Sequence, residues 1–310
     1  MTRRESILCL ALLAFSPSAD GLSVRLVDAV SKRPVILVGT MHYNPASVAL
    51  AAQTIREVSQ QEGLHSVAIE LCSSRWNSSV ASRWSREPSL KRMLSEDEFQ
   101  VAFETARDVG LLDVVLADQE IRETGSRLGA ALLRTAKDAA TPGGWRRITA
   151  DLGAAAVQVP AFMRGASSVR LASGTPMALA RYLYQSPAAL PFLAFSAAAL
   201  SLAALVDEAS GVLPAAEDGV ISALVAALLG RSVYVALIEE RNHVLARNIR
   251  ASCVAAGATH GGSAAVDGAD AAGAADEDAA VVAVIGMAHL AGVREALLRP
   301  AADQTERLDC

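Results

Sequence analysis

Two histidines follow two strongly apolar segments at the same spacing. Residues 34–39 (Pro-Val-Ile-Leu-Val-Gly) precede Thr-Met-His42, and residues 281–286 (Val-Val-Ala-Val-Ile-Gly) precede Met-Ala-His289. Each apolar run is typical of a short strand that is buried on both faces. Histidine serves in proteins as a metal ligand or as a general base. One Gly-x-x-His turn would mean little, but two of them indicate the two halves of a single chemical site.

Two further apolar segments end in a carboxylate. Residues 66–69 lead into Glu70, and residues 113–117 lead into Asp118. Ligands of open α/β sheets bind beyond the carboxyl ends of the strands, so the four strand-end side chains can converge there. Each of them also has a structural explanation, because a strand-end histidine can be a hydrogen-bonded core residue and a carboxylate can cap the next helix.

Arg241 lies on the apolar side of the helix predicted over residues 231–250. Most other charged residues of this segment fall on the opposite side of the helical wheel. An unpaired guanidinium in apolar surroundings is costly, so we expect a carboxylate or a ligand beside it. Glu70 and Asp118 are the natural partners. The alternative is that the Arg241 side chain extends along the apolar surface to reach solvent.

The elements that must position these residues alternate between strands and helices. A leading strand is predicted over 24–27, and helices are predicted over 46–61 and 96–109. Asn44 is a suitable N-cap for the first of these helices, and Pro45 suits its first helical position. This alternation predicts an α/β fold with a mainly parallel, mixed sheet built from two related halves.

The middle of the chain has helical patterns without a convincing strand. We therefore predict an inserted helical region at about 128–225 within an α/β domain over 22–300. Residues 186–206 carry no charge for twenty-one positions, a length that could cross a bilayer or associate with a membrane. The alternative is a buried helix of the insertion, because the segment is rich in alanine and contains two prolines.

The first 21 residues have the plan of a signal peptide. A basic start is followed by the apolar run 7–15 and then by small and turn-forming residues. Cleavage would place the protein in the secretory pathway or outside the cell. The junction of Ala14 and Phe15 also resembles the plastid entry signal of complex algae, and an uncleaved anchor is a third interpretation.

Composition narrows the classes of protein further. The chain has 310 residues, 52% of them hydrophobic, and its net charge of −5 without a basic stripe excludes a typical nucleic-acid binder. Once Cys9 leaves with the targeting segment, three scattered cysteines remain, which is not a disulfide framework. The Gly/Ala/Asp-rich run 257–280 predicts a disordered loop, and residues 301–310 predict a loose polar tail.

Five motifs between residues 34 and 298 resemble the TraB/PrgY family, which is related to the Tiki metalloproteases and to the erythromycin-esterase-like superfamily. In order, they are Val-Gly-Thr-Met-His42, Val-Ala-Ile-Glu70-Leu-Cys-Ser-Ser-Arg75, Leu-Ala-Asp118, Glu-Glu-Arg241-Asn242 and Ile-Gly-Met-Ala-His289-Leu-Ala-Gly292. The helical insertion does not align with the family. Gln119 stands where a basic residue is expected, and the run 257–280 looks like a private insertion.

The resemblance implies a hydrolase that depends on a divalent metal ion and cleaves peptide bonds in a peptide or protein substrate. It implies metal-binding or catalytic roles for His42, Glu70 and His289, and catalytic support from Arg241 and Asn242. Supporting positions carried over from the motifs are Gly39, Thr40, Arg75, Asp118 and Gly286. Two imidazoles and a carboxylate can hold an ion and leave a position open for water.

Other functions remain open from the sequence. The esterase-like branch suggests a metal-free hydrolase in which His42 or His289 is the general base and Glu70 orients it. Cys72 beside Glu70 could be a nucleophile paired with a histidine, although cysteine is commonly a small buried apolar residue. A non-catalytic regulator that binds a peptide or a protein partner is the third alternative.

Overall fold

The computed structural model describes residues 22–82, 90–112, 114–166, 169–185, 224–225, 227–232, 234–255 and 279–300. The predicted targeting peptide, the uncharged segment 186–206 and the tail 301–310 lie outside these residues, as does most of the predicted loop 257–280. Among the described helices, none is both long and apolar enough to cross a membrane.

Five strands form one mixed sheet in the order β1-β2-β5-β3-β4. They are β1 (Ser23–Val27), β2 (Pro34–Thr40), β3 (Leu64–Ile69), β4 (Val115–Leu116) and β5 (Ala280–Gly286). β1 runs antiparallel to β2, whereas every other pairing is parallel. The predicted α/β fold with a mainly parallel sheet is therefore confirmed.

The two apolar segments that carry the histidine motifs are neighbours in this sheet. Val35 of β2 pairs with Val281 of β5, and Thr40 pairs with Gly286 at the other end. β5 already begins at Ala280, which the sequence assigned to the preceding loop. The Ala280 amide donates to the Gly63 carbonyl, so this residue belongs to the strand rather than to the loop.

Helices connect and cover the strands. They are α1 (Pro45–Gln61), α2 (Ser73–Ser82), α3 (Leu90–Ser95), α4 (Glu98–Asp108), α5 (Ile121–Ala139), α6 (Pro142–Ala166), α7 (Val169–Gln185), α8 (Glu240–Ala255) and α9 (Met287–Leu298). The helices predicted over 46–61, 96–109 and 231–250 correspond to α1, α4 and α8. A π-helical segment over Val235–Glu239, which the sequence did not predict, leads directly into α8.

The sheet is covered on both faces, which explains the uninterrupted apolar runs of its strands. All seven residues of β5 are buried. Val284 belongs to the buried cluster that includes Ile55 of α1, whereas Ile285 belongs to the cluster of Leu245 of α8. Fully burying one such side chain stabilises the fold by about 1.5–3 kcal/mol, so both layers contribute strongly to the core.

The middle of the chain, which contains the helical insertion predicted at 128–225, is helical where the structure describes it. Helix α5 starts at Ile121, and the described residues from there to Gln185 form α5, α6 and α7 without a strand. The part of the insertion that follows Gln185 is described only for a few residues after 223.

A buried ion pair ties α8 to the end of α9. Arg250 Nε donates to Asp28 Oδ1 at 2.7 Å, and Asp28 is fully buried. Arg250 Nη2 donates to the carbonyls of Ala296, Leu297 and Arg299 at the carboxyl end of α9. The carbonyls at the end of a helix run out of helical amide donors, and here the Leu297 carbonyl also accepts from the Ala29 amide and the Ala296 carbonyl from the Arg299 amide. Arg250 adds to these bonds and fixes the helix that also carries His289.

We expect Arg250→Ala to lower the free energy of unfolding by about 3–5 kcal/mol, because it leaves Asp28 buried and unpaired. Urea denaturation of both proteins measures this difference. Arg247 on the exposed side of the same helix provides the control, and its alanine variant should stay within about 0.5 kcal/mol of the unmodified protein. An Arg250→Ala variant as stable as the control would contradict the structural role.

Candidate active site at the carboxyl edge of the sheet

The four strand-end side chains predicted from the sequence follow four consecutive strands of the sheet. His42 follows β2, His289 follows β5, Glu70 follows β3 and Asp118 follows β4. Since β2, β5, β3 and β4 are mutually parallel, all four residues stand at the same edge.

Three of these side chains gather around Gly286. A Cβ atom added to this glycine would lie 3.2 Å from Glu70 Oε2, 3.6 Å from His42 Nε2 and 3.7 Å from His289 Cδ2. The backbone of Gly286 (φ −59°, ψ 140°) is one that any residue can adopt. A methyl group there would press on Glu70 Oε2 and contact both histidine rings, and a larger side chain would enter the region that the three groups share.

Glu70 is buried and accepts hydrogen bonds on both oxygens. Its Oε2 accepts from the Gly286 amide at 2.5 Å, and its Oε1 accepts from Arg241 Nη2 at 2.6 Å. Burial by itself would raise the pKa of Glu70, but His289, His42 and Arg241 together with the Gly286 amide hold that pKa below its usual value. The group is therefore a carboxylate at neutral pH.

Arg241 joins two buried carboxylates. Besides Glu70, it binds Asp118 through Nε at 3.1 Å and through Nη2 at 2.8 Å. Asp118 also accepts from Arg75 Nη1 at 3.3 Å. The prediction that Arg241 meets a strand-end carboxylate is confirmed, and its side chain is only 18% exposed.

His289 is buried in the first turn of α9, and Asn242 orients its ring. His289 Nδ1 lies 2.8 Å from Asn242 Oδ1. An amide oxygen only accepts, so Nδ1 carries the hydrogen and donates it. Nε2 lies on the Glu70 side, 3.4 Å from Oε1. Burial lowers the pKa of His289, which favours the neutral ring with a lone pair on Nε2.

Gly292 makes room for Asn242. A Cβ atom on Gly292 would overlap Asn242 Nδ2, so a larger residue at this position would displace the amide that orients His289. The spacing from His289 to Gly292 is about one helical turn, which brings both onto the side of α9 that meets Asn242. Gly292 therefore helps to position His289 indirectly, by leaving space for the amide that holds the ring.

His42 is held by a carboxylate that the sequence analysis did not single out. His42 Nδ1 donates to Glu98 Oε1 at 2.5 Å. Glu98 is fully buried at the start of α4 and also accepts from the Tyr43 amide and the Thr40 hydroxyl. Partial loss of water around the ring opposes a charge on His42, but Glu98 outweighs that effect and raises the pKa of His42 to about 9. About half of the His42 side chain is exposed to solvent.

The turn around His42 is held by helix α7 of the insertion. Tyr43 has a positive φ of 63°, a conformation that costs a non-glycine residue free energy. Its carbonyl accepts from Arg181 Nη1 at 3.2 Å, and Asn44 Nδ2 donates to the Leu171 carbonyl at 2.9 Å. The insertion that the sequence could not relate to the site therefore supports one of its histidines.

The two Gly-x-x-His segments are not built alike. His42 lies in a turn before α1, where Asn44 caps the helix through its hydrogen bond from the Ala46 amide. His289 already lies within α9, for which Gly286 is the N-cap residue. The equal spacing therefore places both rings near Gly286 through different backbone geometries.

The remaining predicted residues support these groups. Thr40 Oγ1 also lies 3.2 Å from the Ile285 carbonyl of β5, so its single hydroxyl hydrogen is shared between this carbonyl and Glu98. Gly39 allows close packing, since a Cβ atom there would lie 3.2 Å from Leu290 Cδ2 of α9. Cys72 is buried, and its sulfur lies 3.3 Å from Ser74 Oγ. Among the described contacts, Cys72 does not pair with a histidine.

As placed, no three His, Cys, Asp or Glu side chains of the described residues form a group that could hold a metal ion. Both oxygens of Glu70 are engaged by Arg241 and by the Gly286 amide. The set of donors around Gly286 nevertheless comprises one carboxylate and two imidazoles whose Nδ1 atoms are already bonded elsewhere.

Comparison with known proteins provides no relative: no protein family, no curated protein and no solved structure matches the chain.

Exchange of Glu98 for the isosteric glutamine should bring the pKa of His42 from about 9 towards its ordinary value of about 6.5. The folded pKa lies above the unfolded one, so the pair stabilises the fold fully below about pH 6.5, and this stabilisation is lost as pH rises through 9. NMR titration of the His42 ring with a chelator present measures the pKa, and urea denaturation over the same pH range measures the stability.

Glu57→Gln, on the exposed side of α1, is the matched control for Glu98→Gln and should leave the His42 titration unchanged. If His42 titrates near 6.5 in the unmodified protein, the Glu98 contact does not form as described.

Arg241→Ala should destabilise the protein by about 3–5 kcal/mol, because two buried carboxylates lose their shared cation. Arg241→Lys should recover part of this loss, since it restores the charge but not the fork that reaches both carboxylates. Denaturation midpoints in urea compare the three proteins. An alanine variant within about 0.5 kcal/mol of the unmodified protein would show that the cluster does not contribute to stability.

Proposed function

We propose that the protein is a metal-dependent hydrolase of the TraB/Tiki type that cleaves peptide bonds at the site around Gly286. The observation that carries the proposal is the convergence of His42 Nε2, Glu70 Oε2 and the His289 ring on this one glycine. The two Gly-x-x-His segments, which lie almost a whole chain apart, and strand β3 each contribute one side chain. Packing of the core alone does not require this arrangement.

The donor set fits a divalent ion. Two imidazoles and one carboxylate are typical ligands of catalytic zinc sites, in which a further position stays open. A histidine that binds a metal ion through one ring nitrogen usually donates a hydrogen bond from the other. The Nδ1 atoms of His42 and His289 are bonded in this way to Glu98 and Asn242. An ion held by His42, Glu70 and His289 would polarise a substrate carbonyl and lower the pKa of a water molecule.

Glu70 and Arg241 have complementary roles in this proposal. Glu70 is ionised, so it can accept a proton from the attacking water as well as bind a cation. Arg241 uses Nε and Nη2 for the two carboxylates, whereas its Nη1 makes no hydrogen bond to a described residue. Nη1 is therefore the donor that can stabilise negative charge on the carbonyl oxygen of the substrate.

The electrostatics of the two histidines favours a second candidate, a metal-free hydrolase. Burial lowers the pKa of His289, whereas Glu98 raises that of His42 to about 9. A pair of groups with pKa values moved apart can supply a base and an acid at neutral pH. His289 would then be the general base and His42 the general acid. The carboxylate that orients His42 is Glu98 rather than Glu70.

Gly286→Ala is the sharpest test of the site. The backbone there accepts alanine, so stability should change by no more than about 1 kcal/mol. The added methyl group fills the space between the three side chains, and we expect kcat/KM on a peptide library to fall by about 100-fold or more, as for other disturbed catalytic geometries. Gly153→Ala, where the added atom contacts no described residue, is the matched control.

The metal requirement is tested in the same assay with the full chain. A chelator should abolish peptide hydrolysis, and added zinc, manganese or cobalt should restore it. Hydrolysis that resists the chelator but is lost in His289→Ala would favour the metal-free candidate. A protein that hydrolyses no peptide with any of these ions would favour the non-catalytic regulator. Full activity of Gly286→Ala would contradict the location of the site.

A further inference from the structure

One arginine of the insertion contacts the chain on both sides of the His42–Glu98 pair. Arg181 of α7 has a side chain that is only 5% exposed. Its Nη1 donates to the carbonyl of Tyr43, the residue directly after His42, at 3.2 Å. Its Nη2 donates to Glu96 Oε2, two residues before Glu98, at 3.0 Å. A single guanidinium therefore joins the two segments that carry the members of the pair.

Two further hydrogen bonds from α7 hold the segment before Glu98. Arg181 Nε donates to the Met93 carbonyl of α3 at 2.8 Å. Gln185 Nε2 donates to the carbonyl of Ser95, the last residue of α3, also at 2.8 Å. Only two residues separate Ser95 from Glu98, the first residue of α4. The position of α7 therefore helps to place the carboxylate of Glu98.

The His42 turn packs closely against the same helix. Asn44 is fully buried, and its Nδ2 donates to the Leu171 carbonyl of α7 at 2.9 Å. A Cβ atom added to Gly174, about one turn further along α7, would overlap Asn44 Oδ1. A larger residue at this position would displace the Asn44 side chain or move α7 away from the turn.

Arg181 acts on the pair differently from the contacts within it. Glu98 also accepts from the Tyr43 amide and lies 3.3 Å from Thr40 Oγ1, and these contacts join the turn to α4 directly. Arg181 instead holds the backbone of the turn from a third element. The positive φ of Tyr43 costs free energy and persists only where surrounding contacts maintain it, so loss of Arg181 would release this turn.

We infer that Arg181 is a positioning residue of the candidate active site, which keeps the His42 turn and the segment before Glu98 at a fixed separation. The helical insertion is then a working part of the site rather than an appendage of the sheet. The effect of Arg181 on the His42–Glu98 pair does not require any activity. Its effect on hydrolysis rests on the function proposed above, in which His42 is one of the ligands of the ion.

NMR of the folded full chain with a chelator present tests the inference without an activity assay. The proton between His42 Nδ1 and Glu98 should give a resonance at low field, identified by its loss in Glu98→Gln. Arg181→Ala should remove this resonance, because the turn and α4 no longer keep their separation. The Nδ1 proton of His289, which is donated to Asn242, should remain as the internal reference.

Two further variants separate positioning from a general loss of stability. Gly174→Ala pushes α7 away from the turn without removing a charge, and it should remove the same resonance. Arg231→Ala removes an equally buried arginine that pairs with Asp138 of α5, and it should keep the resonance. Asp138 stays paired with Arg147 in that variant. Circular dichroism confirms that each variant is folded.

Peptide hydrolysis provides a second readout. Arg181→Ala should lower kcat about tenfold or more with little change in KM, because it disturbs a catalytic group and leaves the substrate contact proposed for Arg241 in place. Arg181→Lys should restore only part of this loss. One ammonium group cannot reproduce the planar fork that binds two backbone carbonyls and Glu96.

The inference is overturned if folded Arg181→Ala or Gly174→Ala protein keeps the His42 resonance. A resonance that is missing from the unmodified protein would also overturn it, because there would be no pair to position. Loss of the resonance in Arg231→Ala would do the same, since the signal would then report stability.

If Arg181→Ala does not fold, Gly174→Ala gives the decision, because it leaves no charge unpaired. A protein that hydrolyses no peptide would contradict the proposed function alone, since the NMR result does not depend on activity.

Discussion

The shared ion pair of Arg241 with Glu70 and Asp118 is the interaction on which the site depends. Two carboxylates end neighbouring strands of a buried parallel sheet, where an uncompensated charge is very costly. One guanidinium from α8 binds both of them at 2.6–3.1 Å, and the Gly286 amide stabilises Glu70 from β5. Helix α8, which covers one face of the core, therefore also supplies the cation that compensates the carboxylates at the strand ends.

The two histidines depend on residues outside the strands that deliver them. Glu98 orients His42 from the first turn of α4, where the positive end of the helix dipole favours a carboxylate. Asn242 orients His289 from α8, within the space that Gly292 leaves open. Each ring is thus held at Nδ1 by a different layer of the fold, while its Nε2 side is turned towards Gly286.

Sequence patterns predicted some of these contacts and missed others for physical reasons. The helical wheel placed Arg241 towards the core, and only a carboxylate near the strand ends could compensate it there. Glu98 gave no such signal, because Glu96, Asp97 and Glu98 together are typical of a solvated helix start. The support of His42 by Arg181 was equally hidden, since it joins residues 138 positions apart through a backbone carbonyl.

The sequence by itself determined that the strands are mainly parallel, that four of them end in polar residues and that these four side chains reach one edge of the sheet. Those features follow from local periodicity, because a doubly covered strand must be apolar until it leaves the core. Only the tertiary structure decided that Gly286 is the point of convergence, that Glu98 is the partner of His42 and that Asn242 orients His289. Such choices depend on distances between layers, which the spacing of residues along a chain does not encode.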